Sequence, residues 1–130
     1  MVEKMNNSQE KIFSVEGKII AIIGATGILG TQYVKYLSNL GAKVIIGDVD
    51  LDRCEELSKQ VNASDCESYP TKIDNTDEAS IENFFSEIKN RYGRLDVLIN
   101  NALVKPEGYY VSFENYSKKT LMEVVDGNLI

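Results

Sequence analysis

Four groups of residues in this 130-residue chain have the types and spacing to hold a charged ligand. The first is Gly24-Ala25-Thr26-Gly27-Ile28-Leu29-Gly30. Its glycines permit a tight turn and let backbone N–H groups approach an anion closely. A helix starting there adds unpaired N–H groups and the positive end of its dipole, a setting suited to a dinucleotide pyrophosphate. The second is Asp48, after an apolar run and eighteen positions beyond Gly30. A carboxylate so placed can accept hydrogen bonds from both ribose hydroxyls and repel a 2′-phosphate. It is also an ordinary acidic turn residue. The third is Asp74-Asn75, where a carboxylate could take an adenine amino group, or could simply open the turn Asp-Asn-Thr-Asp. The fourth is Asn100-Asn101-Ala102, whose amides can bridge neighbouring strands and whose small alanine permits close approach of a ligand. By itself that tripeptide equally suits a turn.

These groups need elements to position them. Lys18 to Ile23 reads as a buried strand, and Gly27 to Leu40 as a helix closed by Gly41. In that helix Ile28, Leu29, Tyr33, Val34, Tyr36, Leu37 and Leu40 are expected to face inward. Lys43 to Gly47 is a second strand, Asp50 or Leu51 to Val61 a second helix, and Ser68 to Ile73 a third strand. Thr76 to Arg91 is a third helix, with Ile81, Phe84, Phe85 and Ile88 as its buried stripe and Gly93 closing it. Leu95 to Asn100 is a fourth strand; its unbroken Val97-Leu98-Ile99 suits a parallel strand covered on both faces. A loop over 103–116 leads to a last helix from Ser117 to Ile130, with Leu121, Val124, Val125 and Leu129 on one side. Strands and helices alternating in this way predict an α/β fold, a Rossmann-like doubly wound parallel sheet. It is truncated after the fourth strand and the start of the following helix, which leaves strand four with an open edge. Residues 1–11 are expected to be a flexible leader, and 12–130 an incomplete NAD(P)-binding domain.

Composition excludes several functions. The net charge is −6 and no basic cluster exceeds two adjacent residues, so nucleic acid is not an expected partner. No apolar run approaches the roughly 20 residues of a membrane span, and residues 1–11 lack a signal peptide's pattern. The chain has no histidine and two cysteines, Cys54 and Cys66. No metal site is expected from so few ligands, and the thiols read as reduced in a cytoplasmic protein. Without histidine, neither a Ser-His-Asp nor a Cys-His mechanism can operate within the chain, which leaves Tyr, Lys, carboxylates or a cofactor for proton transfer.

In combination these segments resemble the short-chain dehydrogenases/reductases. The likeness is carried by Glu16-Gly17-Lys18, the glycine loop, Gly41-Ala42-Lys43-Val44 with Asp48, Asp74-Asn75-Thr76, and Arg94 to Ala102. It covers about residues 12–130. It implies an oxidoreductase that passes hydride between a nicotinamide and the carbonyl or alcohol carbon of a small-molecule substrate. The cofactor cleft would be lined by Gly24, Thr26, Gly27, Ile28, Leu29, Asp48, Asp74, Asn75, Asn100 and Ala102. Asp48, with no Lys or Arg inside the glycine loop, favours NAD over NADP, although Arg53 lies near. Asn128, in Val124-Val125-Asp126-Gly127-Asn128-Leu129, matches the family's catalytic asparagine, which holds a proton-relay water; a helix-surface amide is the plainer alternative. The family's full-length members commonly pair, which implies a homo-oligomer for the parent protein.

Two departures from the family pattern matter. Gly27 stands one position earlier than the middle glycine of many members, which resembles the branch acting on nucleotide sugars, and Leu103 replaces the Gly that usually follows Asn-Asn-Ala. Moreover, none of the seven tyrosines has a lysine four positions later. The family's Ser and Tyr-x-x-x-Lys are thus missing. The chain is expected to be the N-terminal cofactor half of such an enzyme and inactive alone. The other readings are a non-enzymatic nucleotide-binding or regulatory module, and a sugar-modifying enzyme of surface-glycan synthesis, similar to flagellin-modification oxidoreductases.

Overall fold

The computed structural model describes residues 12–64 and 66–129; the leader expected over 1–11 lies outside them. Strands β1 (Ile19–Ile23), β2 (Lys43–Asp48), β3 (Ser68–Lys72) and β4 (Val97–Asn100) form one parallel sheet in the order β3-β2-β1-β4. Helices α1 (Ile28–Asn39), α2 (Leu51–Asn62), α3 (Glu78–Tyr92) and α4 (Lys118–Leu129) alternate with them, and the loop before α4 holds a short 3-10 turn at Phe113–Asn115. Each strand begins or ends within two residues of its expected place.

Alternation along the strands explains the double winding. Ile20 and Ile22 of β1, with Val44 and Ile46 of β2, pack against Val34 of α1 and Cys54, Leu57 and Val61 of α2. Ile19, Ala21 and Ile23, with Ile45, face the other way and pack against Phe84 and Ile88 of α3. Ile81 and Phe85 of α3 are half-buried beside them, as the stripe predicts. Truncating the fully buried Phe84 would cost about 3–5 kcal/mol.

The helix ends follow local chemistry. The Asp50 carboxylate accepts from Arg53 N at 3.2 Å and caps α2, while Asp77 accepts from Ala79 N at 3.0 Å and caps α3. Asp77 is the reason α3 starts at Glu78 rather than Thr76. Gly93 closes α3 with φ of 73°, a left-handed turn that favours glycine. Ser117 Oγ accepts from Thr120 N at 3.0 Å at the start of α4.

Three expectations fail. The buried line of α1 is Gly30, Val34 and Ser38, not the apolar set. Ile28 is 90% exposed, and Leu29, Tyr33, Tyr36 and Leu40 are exposed too; only Val34 is buried and Leu37 partly so. The cause is close approach: a Cβ on Gly30 would collide with the Gly24 carbonyl and with Ala25, so the helix packs through its small residues. In α4 it is Thr120 that is buried; Leu121 and Leu129 are exposed and Val124 and Val125 half-buried. β4 is not covered on both faces, since Val97 and Leu98 are 40% and 41% exposed. It pairs only with β1 among the described strands, and this is the open edge the sequence predicts.

Candidate functional site

The strand order places a crevice. From β1 the chain winds outward through β2 to β3, then returns to put β4 on β1's other side. Ligands of open α/β sheets bind at such a switch point, beyond the carboxyl ends of the strands. Here a cleft of about 720 Å³ opens there.

The glycine loop forms one wall. Gly24 adopts φ of 78°, and a Cβ on it would lie 2.7 Å from the backbone N and Cα of Ala102. Gly24 N and Ala25 N both donate to the Gly47 carbonyl, at 2.9 and 3.1 Å, and Asn101 N donates to Ile23 O at 2.9 Å. Asn101 Nδ2 adds a bond of 3.0 Å to Gly24 O. The loop is therefore moored to β2 on one side and to the end of β4 on the other. Gly27 is the N-cap of α1, with no side-chain cap bond and no acidic residue in the first turn. α2 and α3, by contrast, carry aspartate caps and an acidic first turn. The N-terminus of α1 thus meets the cleft with its dipole unneutralised by a side chain.

Asp48, at the end of β2, turns its carboxylate onto this loop. Oδ2 accepts from Thr26 N at 3.1 Å and from Thr26 Oγ1 at 2.8 Å, while Oδ1 accepts from Val49 N at 2.8 Å. The third polar group of Thr26, its carbonyl, accepts from Arg53 Nη2 at 2.7 Å. Thr26 is buried with every polar group paired.

The far wall comes from the segments that follow β3 and β4, residues 73–76 and 101–105, with α4 behind them. Asp74 Oδ1 accepts from Thr76 N at 2.9 Å and from Thr76 Oγ1 at 2.6 Å, an Asx turn. The Thr76 hydroxyl first, and then its N–H, holds the Asp74 carboxyl below the usual carboxylate range. Asn75 Nδ2 reaches α4, donating to Gly127 O at 3.2 Å. Asn128 brackets one residue of the loop after β4: its Oδ1 accepts from Val104 N at 2.7 Å and its Nδ2 donates to Val104 O at 3.0 Å. The same Nδ2 donates to Val124 O at 2.8 Å.

Nine of the expected residues line the one cleft: Gly24, Thr26, Gly27, Ile28 and Leu29 from the loop, Asp48 and Asp74 from strand ends, then Asn75 and Ala102. Asn100 and Asn128 do not; they line an adjoining hollow of about 410 Å³ that shares Asn75 and Ala102 with the cleft. Asn101 and Arg53 line the cleft and were not among the expected site residues. Alternation along a strand would have signalled that only one of the paired asparagines can face the loop. The other charged side chain at the rim is Lys105, whose ammonium lies 5.4 Å from the Tyr110 ring centroid. Among the described residues no group of three or more His, Cys, Asp or Glu could hold a metal ion. No helix of the described residues is long and apolar enough to cross a membrane.

A family model described as short chain dehydrogenase matches residues 18–130. The chain belongs to the short-chain dehydrogenase family. An uncharacterized oxidoreductase of Bacillus subtilis is 35% identical over 94 residues, 72% of this chain and 34% of that protein. The chain spans less than half the length of the curated relatives it matches. Among solved structures, a metagenomic short-chain oxidoreductase in complex with NADP has a TM-score of 0.77 at 24% identity, over 89% of this chain and 52% of that one. An NAD+-bound xylitol dehydrogenase has a TM-score of 0.79 at 21% identity, over 88% of this chain and 44% of that one. These likenesses show that this chain shares their fold.

Proposed function

We propose that this chain is the N-terminal, cofactor-holding part of an NAD(P)-dependent oxidoreductase that prefers NAD. The observation that carries the reading is the uncapped start of α1 beside Gly24, in a cleft that also holds Asp48. A dinucleotide pyrophosphate supplies the negative charge and the acceptors that this helix end lacks. The exposed Ile28 and Leu29 at the same mouth give apolar contact to a bound ligand.

Asp48 has one lone-pair direction left, on Oδ1, for a ribose hydroxyl, and its charge disfavours a 2′-phosphate. Asp74 lines the same cleft, and the carboxylate oxygen not engaged by Thr76 is offered to an adenine amino group. Bound nicotinamide supplies hydride exchange with a carbonyl or secondary alcohol of a small-molecule substrate. Asn128 keeps one lone pair on Oδ1 for a water on the proton path, with both amide hydrogens engaged. The Ser and the Tyr-x-x-x-Lys pair belong to residues beyond this chain in the same reading. The exposed Leu121 and Met122 of α4 support pairing of the full-length protein with a second copy.

Calorimetric titration with NADH and NADPH tests the proposal. NADH is expected to bind saturably and more tightly than NADPH. Absence of binding by either nucleotide would overturn it; tighter NADPH binding would overturn the preference alone.

A further inference from the structure

Arg53 does two things at once. Its backbone N–H is the donor that Asp50 uses to cap α2, and its guanidinium reaches out of the helix to the Thr26 carbonyl. It stands between the cleft of about 720 Å³ and a second hollow of about 160 Å³ lined by Thr31, Glu56, Leu57 and Gln60, and it borders both together with Thr26. None of the ion pairs among the described residues includes it. Its guanidinium donates to a neutral carbonyl, at a distance typical of a strong charge-assisted hydrogen bond.

We infer that Arg53 is a positioning residue: through Thr26 O it latches the glycine loop to the first turn of α2, setting the loop for a pyrophosphate it does not itself touch. This rests on the nucleotide reading above. Thr26 lies between Gly24 and Gly27, so its peptide units decide how the loop presents its N–H groups. Asp48 fixes the N–H and hydroxyl side of Thr26 from β2. Without Arg53 the Thr26 carbonyl has no hydrogen-bond donor among the described residues, and the two glycines flanking this stretch leave little to oppose a rotation of the loop. The capped α2 gives the latch a rigid base, because the same Asp50 that receives Arg53 N also accepts Cys54 N at its carbonyl.

The test is calorimetry on the purified protein and on Arg53→Met, which keeps the apolar stem and removes the guanidinium. The latch predicts that NADH and NADPH affinities fall by the same factor, about tenfold, at unchanged stoichiometry. Three results overturn it. Unchanged affinity for both nucleotides removes any role. Loss of NADPH affinity alone means that Arg53 contacts a 2′-phosphate directly. Reduced stoichiometry at unchanged affinity means that the substitution merely unfolds part of the sample. Failure of the nucleotide reading is separately visible, since the unsubstituted protein would then bind neither ligand.

Discussion

Asp48 Oδ2 accepts two hydrogen bonds from Thr26, one from the backbone N–H and one from the hydroxyl. In the proposed function the residue offered to the ribose is thereby also the one that shapes the glycine loop. Asp48→Ala should have two effects. Both nucleotides should bind more weakly, NADH by about tenfold, because two loop bonds to a charged acceptor disappear. The NADPH-to-NADH affinity ratio should also move towards one. Titration of both ligands measures this, and an unchanged ratio would remove Asp48 from the ribose site.

Gly24 and Gly93 make a matched pair. Both have positive φ, 78° and 73°, but a Cβ meets the Ala102 backbone at Gly24 and nothing within 4 Å at Gly93. Gly93→Ala should cost about 1 kcal/mol in urea unfolding, the backbone penalty alone. Gly24→Ala adds a clash with backbone that cannot swing away, and should cost about 3 kcal/mol or more. Equal costs would contradict the close approach of loop and β4.

The two thiols should differ. Burial, reinforced by the charges of Asp48 and Asp50, pushes the Cys54 thiol up to about 12. Only a minute fraction, on the order of one in ten thousand at pH 8, is then thiolate, the reactive form. A disulfide reagent at pH 8 should label Cys66 in the folded protein and reach Cys54 only after denaturant is added. Rapid labelling of both would contradict the packing of α2 on the sheet.

How much of this was legible in the sequence depends on the range of each contact. The glycine loop and Asp48 stand at a fixed strand–turn–helix spacing, so their places follow from the sequence. The α1 face did not, because Gly30 and Ser38 do the packing that apolar residues usually do, and hydrophobic periodicity cannot register a glycine contact. Asn101 to Gly24 spans 77 positions. Its existence depends on β4 pairing with β1 rather than extending the sheet beyond β3, and strand composition does not carry that order. A motif points to Asn128, but its bracket around Val104 depends on the loop path between β4 and α4.

Acid should act on the Asx turn at the far wall. The Asp74 carboxyl is held below its ordinary value, so the folded state binds its proton less readily than the unfolded chain. Its contribution is then present above the unfolded value of about 3.9 and lost as pH falls through the lower folded value. Urea midpoints of the protein and of Asp74→Ala should differ at neutral pH and converge in that acid window. A difference that stays constant down to the lowest pH would contradict the carboxylate's part in the turn.

The central claim is that the loop from Gly24 to Gly30, with the uncapped start of α1, holds a dinucleotide pyrophosphate. Residue-resolved backbone amide NMR during titration with NADH tests it most directly. The account predicts saturable shifts concentrated on the N–H groups of Gly27, Ile28, Leu29 and Gly30, with smaller shifts at Val49 and Asn75. Saturable binding that leaves those loop amides unmoved, and perturbs some other face of the sheet, would contradict it.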